Sequence, residues 1–342
     1  MVEKNVSGRD VETRVTFATT ITDFRNAEKP SVTLTITTTT IHREGKPMRN
    51  LRLTLAGLVT LATIGTVSLS TGVGATASSL PSLASCKTSI NADEFTKGKL
   101  TVATDTPAYT PWFVSNTPSN GKGYESAVAY AIAKELGVKK SNVVWVHEPF
   151  NASFAPGVKK FDFDINEISY TSQRAKVVTF SNSYYDVQQS IIALKGSKIS
   201  KDHTPAELKT YLYGDQIGTT GLLYIDQQIK PTKSPRVYDS LANAASALET
   251  GQIDAIVLDT PDGQYMASPG SGEVINAKNK NIAVQVGQFP SVGEHYGLLF
   301  EKGNKLVGCV NAAIAAMKSN GTLSALQTKW LSIYTSVPVI EP

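Results

Sequence analysis

The chain has 342 residues, of which 41% are hydrophobic and 18% are charged, and it contains two cysteines. This composition is typical of a folded globular protein and excludes a generally disordered, collagen-like or low-complexity chain. Two cysteines are too few for a small disulfide scaffold or for a four-sulfur zinc site. The length predicts two domains of roughly 100 to 200 residues each.

The formal net charge of +4 lies mainly in the first quarter of the chain. Residues 1–85 hold nine of the 33 basic and six of the 29 acidic residues, so residues 86–342 carry only +1. This later region contains no block of basic residues with interleaved aromatic residues. We therefore do not expect nucleic acid as a partner.

Residues 48–77 have the three parts of a secretory signal peptide. Met48 to Arg52 form a short basic start, Leu53 to Val73 contain no charged residue, and Ala75 to Ala77 form a small-x-small cleavage site. A membrane anchor is the alternative for the apolar run, although threonine, serine and glycine interrupt it. We interpret residues 1–47 as an upstream extension that is disordered or not translated, with Met48 as the start.

Export would place the two cysteines in an oxidising compartment. Cys86 opens the mature region and Cys309 lies near its end, and such a pair predicts one disulfide. Residues 83–86 also have the form of a lipoprotein box, whose acylated Cys86 would anchor the protein to the membrane. Because this box begins ten residues after Val73, rather than directly against the apolar run, we favour the disulfide.

From Leu100 onward, predicted strands and helices alternate. The first set has one helix, at Tyr124–Leu136, and three strands, at Leu100–Thr104, Val143–Val146 and Phe161–Ile165. The second set starts with a helix capping box and contains, in order, Thr204–Glu207, a strand at Tyr213–Ile217, a helix from Gly221 towards Pro231, a helix at Asp239–Leu248 and a strand at Ile253–Leu258. This alternation predicts an α/β fold of two Rossmann-like lobes with mostly parallel sheets.

Two extended segments are expected to join these lobes. Ser190–Leu194 leads out of the first set, Tyr296–Phe300 leads back, and helices at Leu306–Ser319 and Leu323–Leu331 complete the chain. We therefore expect lobe 1 to comprise residues 86–190 and 296–342, with lobe 2, residues 191–295, inserted between them. A two-strand hinge of this kind leaves a cleft that can close on a ligand.

Residues of complementary charge follow the predicted strands, where ligands of α/β sheets bind. Arg174, with Ser169 nearby, is suited to a carboxylate. Thr219 and Thr220 lie at a helix start, where free backbone N–H groups can bind an anion. Asp259 offers a carboxylate to an ammonium group. Capping of a turn or helix is the structural alternative for each, but together they predict a site for a zwitterion.

Aromatic residues supply the expected apolar wall of this cleft. Tyr109 lies in the loop after the first strand and is expected to contact the side chain of a ligand. Trp112 is a second candidate, for which packing in the core is the alternative. Phe150 is a candidate for the opposite wall.

These motifs resemble those of the extracytoplasmic solute-binding proteins of ABC importers, in the group that binds polar amino acids. The resemblance covers about residues 97–334 and is carried by five segments, Lys99–Asp105 with Tyr109, Ile168–Lys176, Phe180–Tyr185, Gly218–Thr220 and Asn320–Leu323, together with Asp254 and Asp259. It implies the two-lobed periplasmic-binding-protein fold, an amino acid as ligand and an ABC permease as partner. It also implies a monomer without cofactor, metal or enzymatic activity, located in the periplasm or at the cell surface.

The resemblance further implies roles for individual residues. Ser169 and Arg174 would hold the α-carboxylate of the ligand, joined by Thr220 from the second lobe. Asp259 would hold the α-ammonium group, and Tyr109 would cover the side chain.

Glu167 departs from the family pattern, because many relatives carry a small residue at this position. A carboxylate here indicates a ligand with a basic or amide side chain. It also leaves a different class open, since some proteins of this fold resemble dehydratases, in which Glu167 would act as acid or base. The ligand-sensing module of a receptor is a third class, although nothing after residue 86 resembles a membrane span or a signalling domain.

Overall fold

The computed structural model describes residues 13–19, 34–40, 80–202, 204–268, 282–334 and 337–340. The predicted signal peptide, residues 48–77, and most of the expected upstream extension lie outside this set. Within the extension, strands β1 (Thr13–Thr19) and β2 (Leu34–Thr40) pair antiparallel. None of the helices in the described residues is both long and apolar enough to span a bilayer.

From Leu100 onward, strands and helices alternate as the sequence predicts, except that two pairs of strands follow each other directly, Thr179–Asp186 with Gln189–Leu194 and Ala283–Gln288 with His295–Phe300. The strands are β3 (Leu100–Thr104), β4 (Val143–His147), β5 (Phe163–Asp164), β6 (Thr179–Asp186), β7 (Gln189–Leu194), β8 (Gly214–Gln216), β9 (Arg236–Tyr238), β10 (Ala255–Asp259), β11 (Ala283–Gln288) and β12 (His295–Phe300). The α-helices are α1 (Leu83–Asp93), α2 (Tyr124–Glu135), α3 (Phe150–Ser153), α4 (Pro205–Leu208), α5 (Thr220–Tyr224), α6 (Leu241–Glu249), α7 (Thr260–Ala267), α8 (Leu306–Ser319) and α9 (Thr322–Leu331). The predicted capping box is confirmed, because Thr204 and Glu207 cap each other at the start of α4.

The two main sheets are less parallel than predicted. In the sheet of lobe 1, ordered β4-β3-β5-β12-β6, β3 is parallel to β4 and β5, whereas β12 is antiparallel to β5 and β6. In lobe 2, the sheet β10-β7-β11 is antiparallel throughout, and β8 and β9 form a separate parallel pair. The prediction of mostly parallel sheets was wrong, because the outgoing chain (β6, β7) and the returning chain (β11, β12) lie side by side in opposite directions and enter both sheets.

These same four strands make the two crossings between the lobes. The sheet of lobe 1 uses residues 100–186 and 295–300, and that of lobe 2 uses residues 189–288. Residues 337–340, which we assigned to lobe 1, instead lie against lobe 2. The Gln288 N–H donates to the Pro338 carbonyl at 2.8 Å, and the Ile340 N–H donates to the Gln288 carbonyl at 2.7 Å. The reason is that β11 is an edge strand, and its free backbone groups form hydrogen bonds with residues 337–340.

Each lobe has its own apolar core. The core of lobe 1 contains fully buried Trp112, Phe163 and Phe300, and that of lobe 2 contains fully buried Tyr213 and Val257. The predicted disulfide is confirmed: Cys86 of α1 and Cys309 of α8 are bonded, with Cα atoms 5.5 Å apart. A sulfur atom in this bridge is not free for the acylation that the lipoprotein box suggested.

Candidate functional site

A cavity of about 100 Å³ lies between the two lobes, where β3, β5, β8 and β10 end. Its wall contains seven of the nine residues that we predicted to bind a ligand, namely Tyr109, Phe150, Glu167, Arg174, Thr219, Thr220 and Asp259. The two predicted residues that do not line it are Trp112 and Ser169. The structure therefore brings the expected carboxylate-binding, ammonium-binding and aromatic groups to one place.

Arg174 is held by contacts on both sides of the cleft. Its guanidinium lies 4.4 Å from the centre of the Phe154 ring and 5.5 Å from that of Phe150. Nη1 donates to the Ser169 carbonyl at 2.6 Å, and Nη2 donates to the Gly218 carbonyl of lobe 2 at 2.7 Å. Burial lowers the pKa of Arg174 to about 10, so it stays cationic at neutral pH. A guanidinium has five N–H donors, so three remain for a ligand carboxylate.

The start of α5 forms part of the opposite wall. Thr219 caps this helix, since its hydroxyl accepts the N–H three residues ahead at 3.2 Å. The Thr220 hydroxyl accepts from the Gln189 amide at 3.4 Å. Gly221 approaches β10 so closely that a Cβ atom would collide with the Val257 carbonyl oxygen. A glycine is therefore required for this helix to begin at the cavity.

Asp259 ends β10 and faces the cavity. Its Oδ1 accepts from the side-chain amide of Gln189, and its Oδ2 accepts from the hydroxyl of Tyr296. It makes no side-chain cap for α7, which was the structural alternative for this residue. Burial, followed by the nearby Glu294 and Asp262, raises the pKa of Asp259 well above its usual range. A cation bound here would relieve that electrostatic strain.

Glu167 stands in the left-handed backbone region, with φ of 53°. Its N–H donates to Oε1 of the buried Glu125 at 2.7 Å, and its carboxylate lines the cavity without a hydrogen bond to any described residue. Burial raises the pKa of Glu167 well above its usual range, and the carboxylates of Asp262, Glu125, Asp259 and Asp105 raise it further. The carboxylate is thus directed at space that a ligand can occupy.

The two predicted residues outside the wall lie just behind it. Trp112 is fully buried and packs against Tyr185 and Tyr296, so the core-packing alternative describes its ring. Ser169 is 1% exposed, and its hydroxyl donates to Glu294 at 2.6 Å. Its contribution to the cavity is indirect, through the carbonyl group that holds Arg174.

Sequence reasoning missed several polar residues of the wall, namely Asp105, Asn166, Gln189, Asp215 and Asp262. The rule that located Asp259 also applies to Asp105, which directly follows β3. Asp262 lies three residues after Asp259, on the same side of α7, and that helical spacing was a usable signal. Asp215 lies within a strand, and nothing in the sequence distinguishes it from an outward-facing residue.

The cavity has a large excess of acidic groups. Five carboxyl groups line it, those of Asp105, Glu167, Asp215, Asp259 and Asp262. Among the described lining residues, Arg174 is the one basic side chain. Burial raises the pKa of Asp215 well above its usual range and that of Asp262 to about 7. Buried carboxyl groups without counter-charges either keep their protons or bind a cation.

Comparison with known proteins matches this chain to one protein family. The family described as bacterial extracellular solute-binding proteins, family 3, matches residues 100–333. The L-arginine-binding protein of Pseudomonas aeruginosa is 27% identical over 231 residues, which cover 66% of this chain and 85% of that protein. The ABC transporter glutamine-binding protein GlnH of Bacillus subtilis is 29% identical over 225 residues, which cover 64% of this chain and 77% of that protein.

The fold is shared with solved structures of such proteins. A mutant of ArgBP from T. maritima superposes with a TM-score of 0.56 at 28% identity, over 72% of this chain and 99% of that one. The two-lobed α/β fold and the resemblance inferred from the sequence motifs are therefore confirmed. Because the family match extends over more than half of its length, the chain belongs to the bacterial extracellular solute-binding proteins, family 3.

Proposed function

We propose that the protein captures an amino acid with a positively charged side chain and delivers it to the membrane permease of an ABC importer. The observation that carries this proposal is the acidic excess of the cavity, with five carboxyl groups and one guanidinium in its wall. A ligand that brings two positive charges and one negative charge is the best match for that wall.

The backbone part of such a ligand would use the oppositely charged pair at the two lobes. Arg174, with three free donors, and the Thr220 hydroxyl would bind the α-carboxylate. Asp259, between Gln189 and Tyr296, would bind the α-ammonium group. These two contacts neutralise the single cation and one of the anions, so four carboxyl groups remain.

The remaining carboxyl groups select the side chain. The Glu167 carboxylate has no hydrogen-bond partner among the described residues, and Asp105 and Asp262 line the same cavity. An amide side chain would donate hydrogen bonds but would leave the charges uncompensated, whereas a guanidinium or ammonium group supplies both. Tyr109 and Phe150 would flank the aliphatic stem of this side chain. The P. aeruginosa relative is named as an L-arginine-binding protein, which supports this choice.

Capture and delivery follow from the hinge. A ligand held between two lobes favours their closed arrangement, and a permease that binds this arrangement receives the ligand. Export by the signal peptide at residues 48–77, and action as a monomer, belong to the same proposal. The relatives compared above are named as binding proteins, which supports binding without turnover.

Isothermal titration with L-arginine and its uncharged analogue L-citrulline tests the charge preference. A hydrogen bond to a charged group contributes about 1.5–3 kcal/mol, so wild type is expected to bind arginine roughly 10- to 150-fold more tightly than citrulline. Glu167→Gln should remove most of this ratio, whereas Asp239→Asn, a change at an exposed carboxylate outside the cavity, should leave it intact. Equal wild-type affinities for the two amino acids would refute a cationic ligand.

Loss of the backbone contacts gives a second test. Arg174→Ala or Asp259→Ala should abolish binding, while the ligand-free variants should still unfold in a cooperative thermal transition. Incubation with a cyclic precursor such as arogenate would separate binding from the dehydratase alternative, because an enzyme acting through Glu167 needs a substrate that can lose water. Turnover that is lost in Glu167→Gln would support the dehydratase, and binding of amino acids without turnover of this precursor would reject it.

A further inference from the structure

One buried hydrogen bond joins the two lobes behind the cavity. The indole Nε1 of Trp112, in lobe 1, donates to Oδ1 of Asp262, in lobe 2, at 2.7 Å. Trp112 is fully buried and Asp262 is 8% exposed. Because both groups are shielded from water, each loses a partner that solvent cannot readily replace if the lobes separate.

The donor is fixed to lobe 1. The carbonyl oxygen of Trp112 accepts the N–H groups of Glu125 and Ser126 at 3.1 and 3.3 Å, so its backbone caps the first turn of α2. The indole packs edge to face against Tyr185 and Tyr296, with ring centres 5.4 Å away in each case. The indole also packs edge to face against Tyr124 of α2, with ring centres 6.0 Å apart. Tyr185 and Tyr296 lie in strands that cross between the lobes, so it is the attachment to α2 that fixes Trp112 to lobe 1.

The acceptor is fixed to lobe 2. Asp262 lies in the first turn of α7, and the Gln285 amide ties that turn to the sheet by donating to the Thr260 carbonyl at 2.9 Å and to the Ser190 hydroxyl at 2.8 Å. A Cβ atom at Gly263 would come within 2.6 Å of the Ser190 hydroxyl oxygen, which shows how closely α7 packs on its sheet. Asp262 therefore moves with lobe 2.

We infer that the Trp112–Asp262 hydrogen bond is a latch that stabilises the closed lobes, and that ligand affinity depends on it although Trp112 does not line the cavity. A ligand that binds only the closed arrangement has an apparent affinity proportional to the fraction of closed protein. An interaction present only in that arrangement raises this fraction. The latch acts on any amino acid that closes the lobes, so it does not rest on the charge of the ligand.

Trp112→Phe removes the N–H donor and keeps an aromatic ring in the cluster with Tyr185 and Tyr296. Its loss leaves a buried carboxyl oxygen of Asp262 without its partner in the closed arrangement, so affinity should fall by roughly tenfold, mainly through faster dissociation. Trp145→Phe is the matched control, because its indole donates to Tyr130 within lobe 1, at 3.2 Å. This control should bind with wild-type affinity.

The probes are L-arginine and L-glutamine, measured by titration calorimetry and stopped-flow fluorescence. The latch predicts that Trp112→Phe weakens L-glutamine as well as L-arginine, although the side chain of glutamine carries no charge. It also predicts that Trp112→Phe costs less affinity in an Asp262→Ala background, where the acceptor is absent. A wild-type dissociation rate in Trp112→Phe would overturn the latch. So would free-energy changes of binding for the substitutions at Trp112 and Asp262 that are simply additive in the double variant.

A measurement on the unaltered protein remains decisive if Trp112→Phe does not fold. NMR can monitor hydrogen exchange of the Trp112 indole N–H, and a spectrum of Trp145→Phe assists its assignment. This exchange should slow when a bound amino acid closes the lobes. An exchange rate that is the same with and without bound amino acid would show that the bond does not report closure, and would reject the latch while leaving the proposed ligand class untouched.

Discussion

Replacing both cysteines by alanine, Cys86→Ala with Cys309→Ala, should strongly destabilise the folded protein. The disulfide joins residues 223 positions apart, so it closes most of the mature chain into one loop. For a loop of this length, the chain-entropy relation gives a stabilisation of about 5 kcal/mol at 25 °C, because the unfolded chain loses that much conformational freedom. For a unit of this size each kcal/mol corresponds to about 2–4 °C, so the midpoint should fall by roughly 10–20 °C.

Differential scanning calorimetry with and without dithiothreitol measures this effect. The reductant should lower the midpoint of wild type but not that of the double alanine variant, which controls for other actions of the reagent. L-arginine affinity at a temperature where both proteins are folded should be equal, since neither cysteine lines the cavity. A loss below about 3 °C would refute the loop-entropy argument, and a lipid adduct on Cys86 in the exported protein would refute the bridge itself.

Two further predictions concern pH and packing. Burial raises the pKa of Glu125 from 4.5 to about 8, and its Oε2 has no hydrogen-bond partner among the described residues. The folded state thus keeps a proton that the unfolded chain releases, so the stability of the ligand-free protein should fall as pH rises from 4.5 towards 8. The affinity for L-arginine should rise over the same range, because the carboxyl groups of the cavity lose their protons. Thermal melts with and without L-arginine across this range check both trends, and a stability slope in Glu125→Gln as steep as in wild type would contradict the assignment to Glu125. Gly221→Ala should cost about 1–3 kcal/mol because its methyl group would meet the Val257 carbonyl. The control Gly308→Ala, in α8 with only ordinary contacts, should be neutral or stabilising by up to about 1 kcal/mol in denaturant unfolding, and equal losses in the two variants would reject the close approach.

Local patterns located many of the helices and strands of the two lobes, but they did not predict β6, β9 or β11. α8 begins and ends at the predicted residues, Leu306 and Ser319, because alanine, leucine and methionine favour a helix and Asn320–Gly321 ends it. The strand at Phe161–Ile165 was predicted over five residues but is only Phe163–Asp164. Strand ends depend on the partner available, and β5 has just one paired residue opposite it in β12.

The direction of the strands was beyond local patterns. β6, β7, β11 and β12 are extended because of their own residues, but they are antiparallel because the chain leaves lobe 1 and returns to it by neighbouring routes. The last residues, 337–340, illustrate the same limit. Their apolar side chains favour burial in either lobe, and only the free edge of β11 decides which one.

The sequence by itself determined that Arg174, Thr220 and Asp259 belong to one site. Each follows a predicted strand, and the connectivity of an α/β fold brings such ends together. Tertiary structure alone decided the roles of Trp112 and Asp262, which are 150 residues apart and meet because two lobes lie against each other. A hydrogen bond between two lobes produces no periodic pattern in the sequence of either segment. The acidity of the cavity likewise arises only when side chains from both lobes lie together where water does not screen their charges.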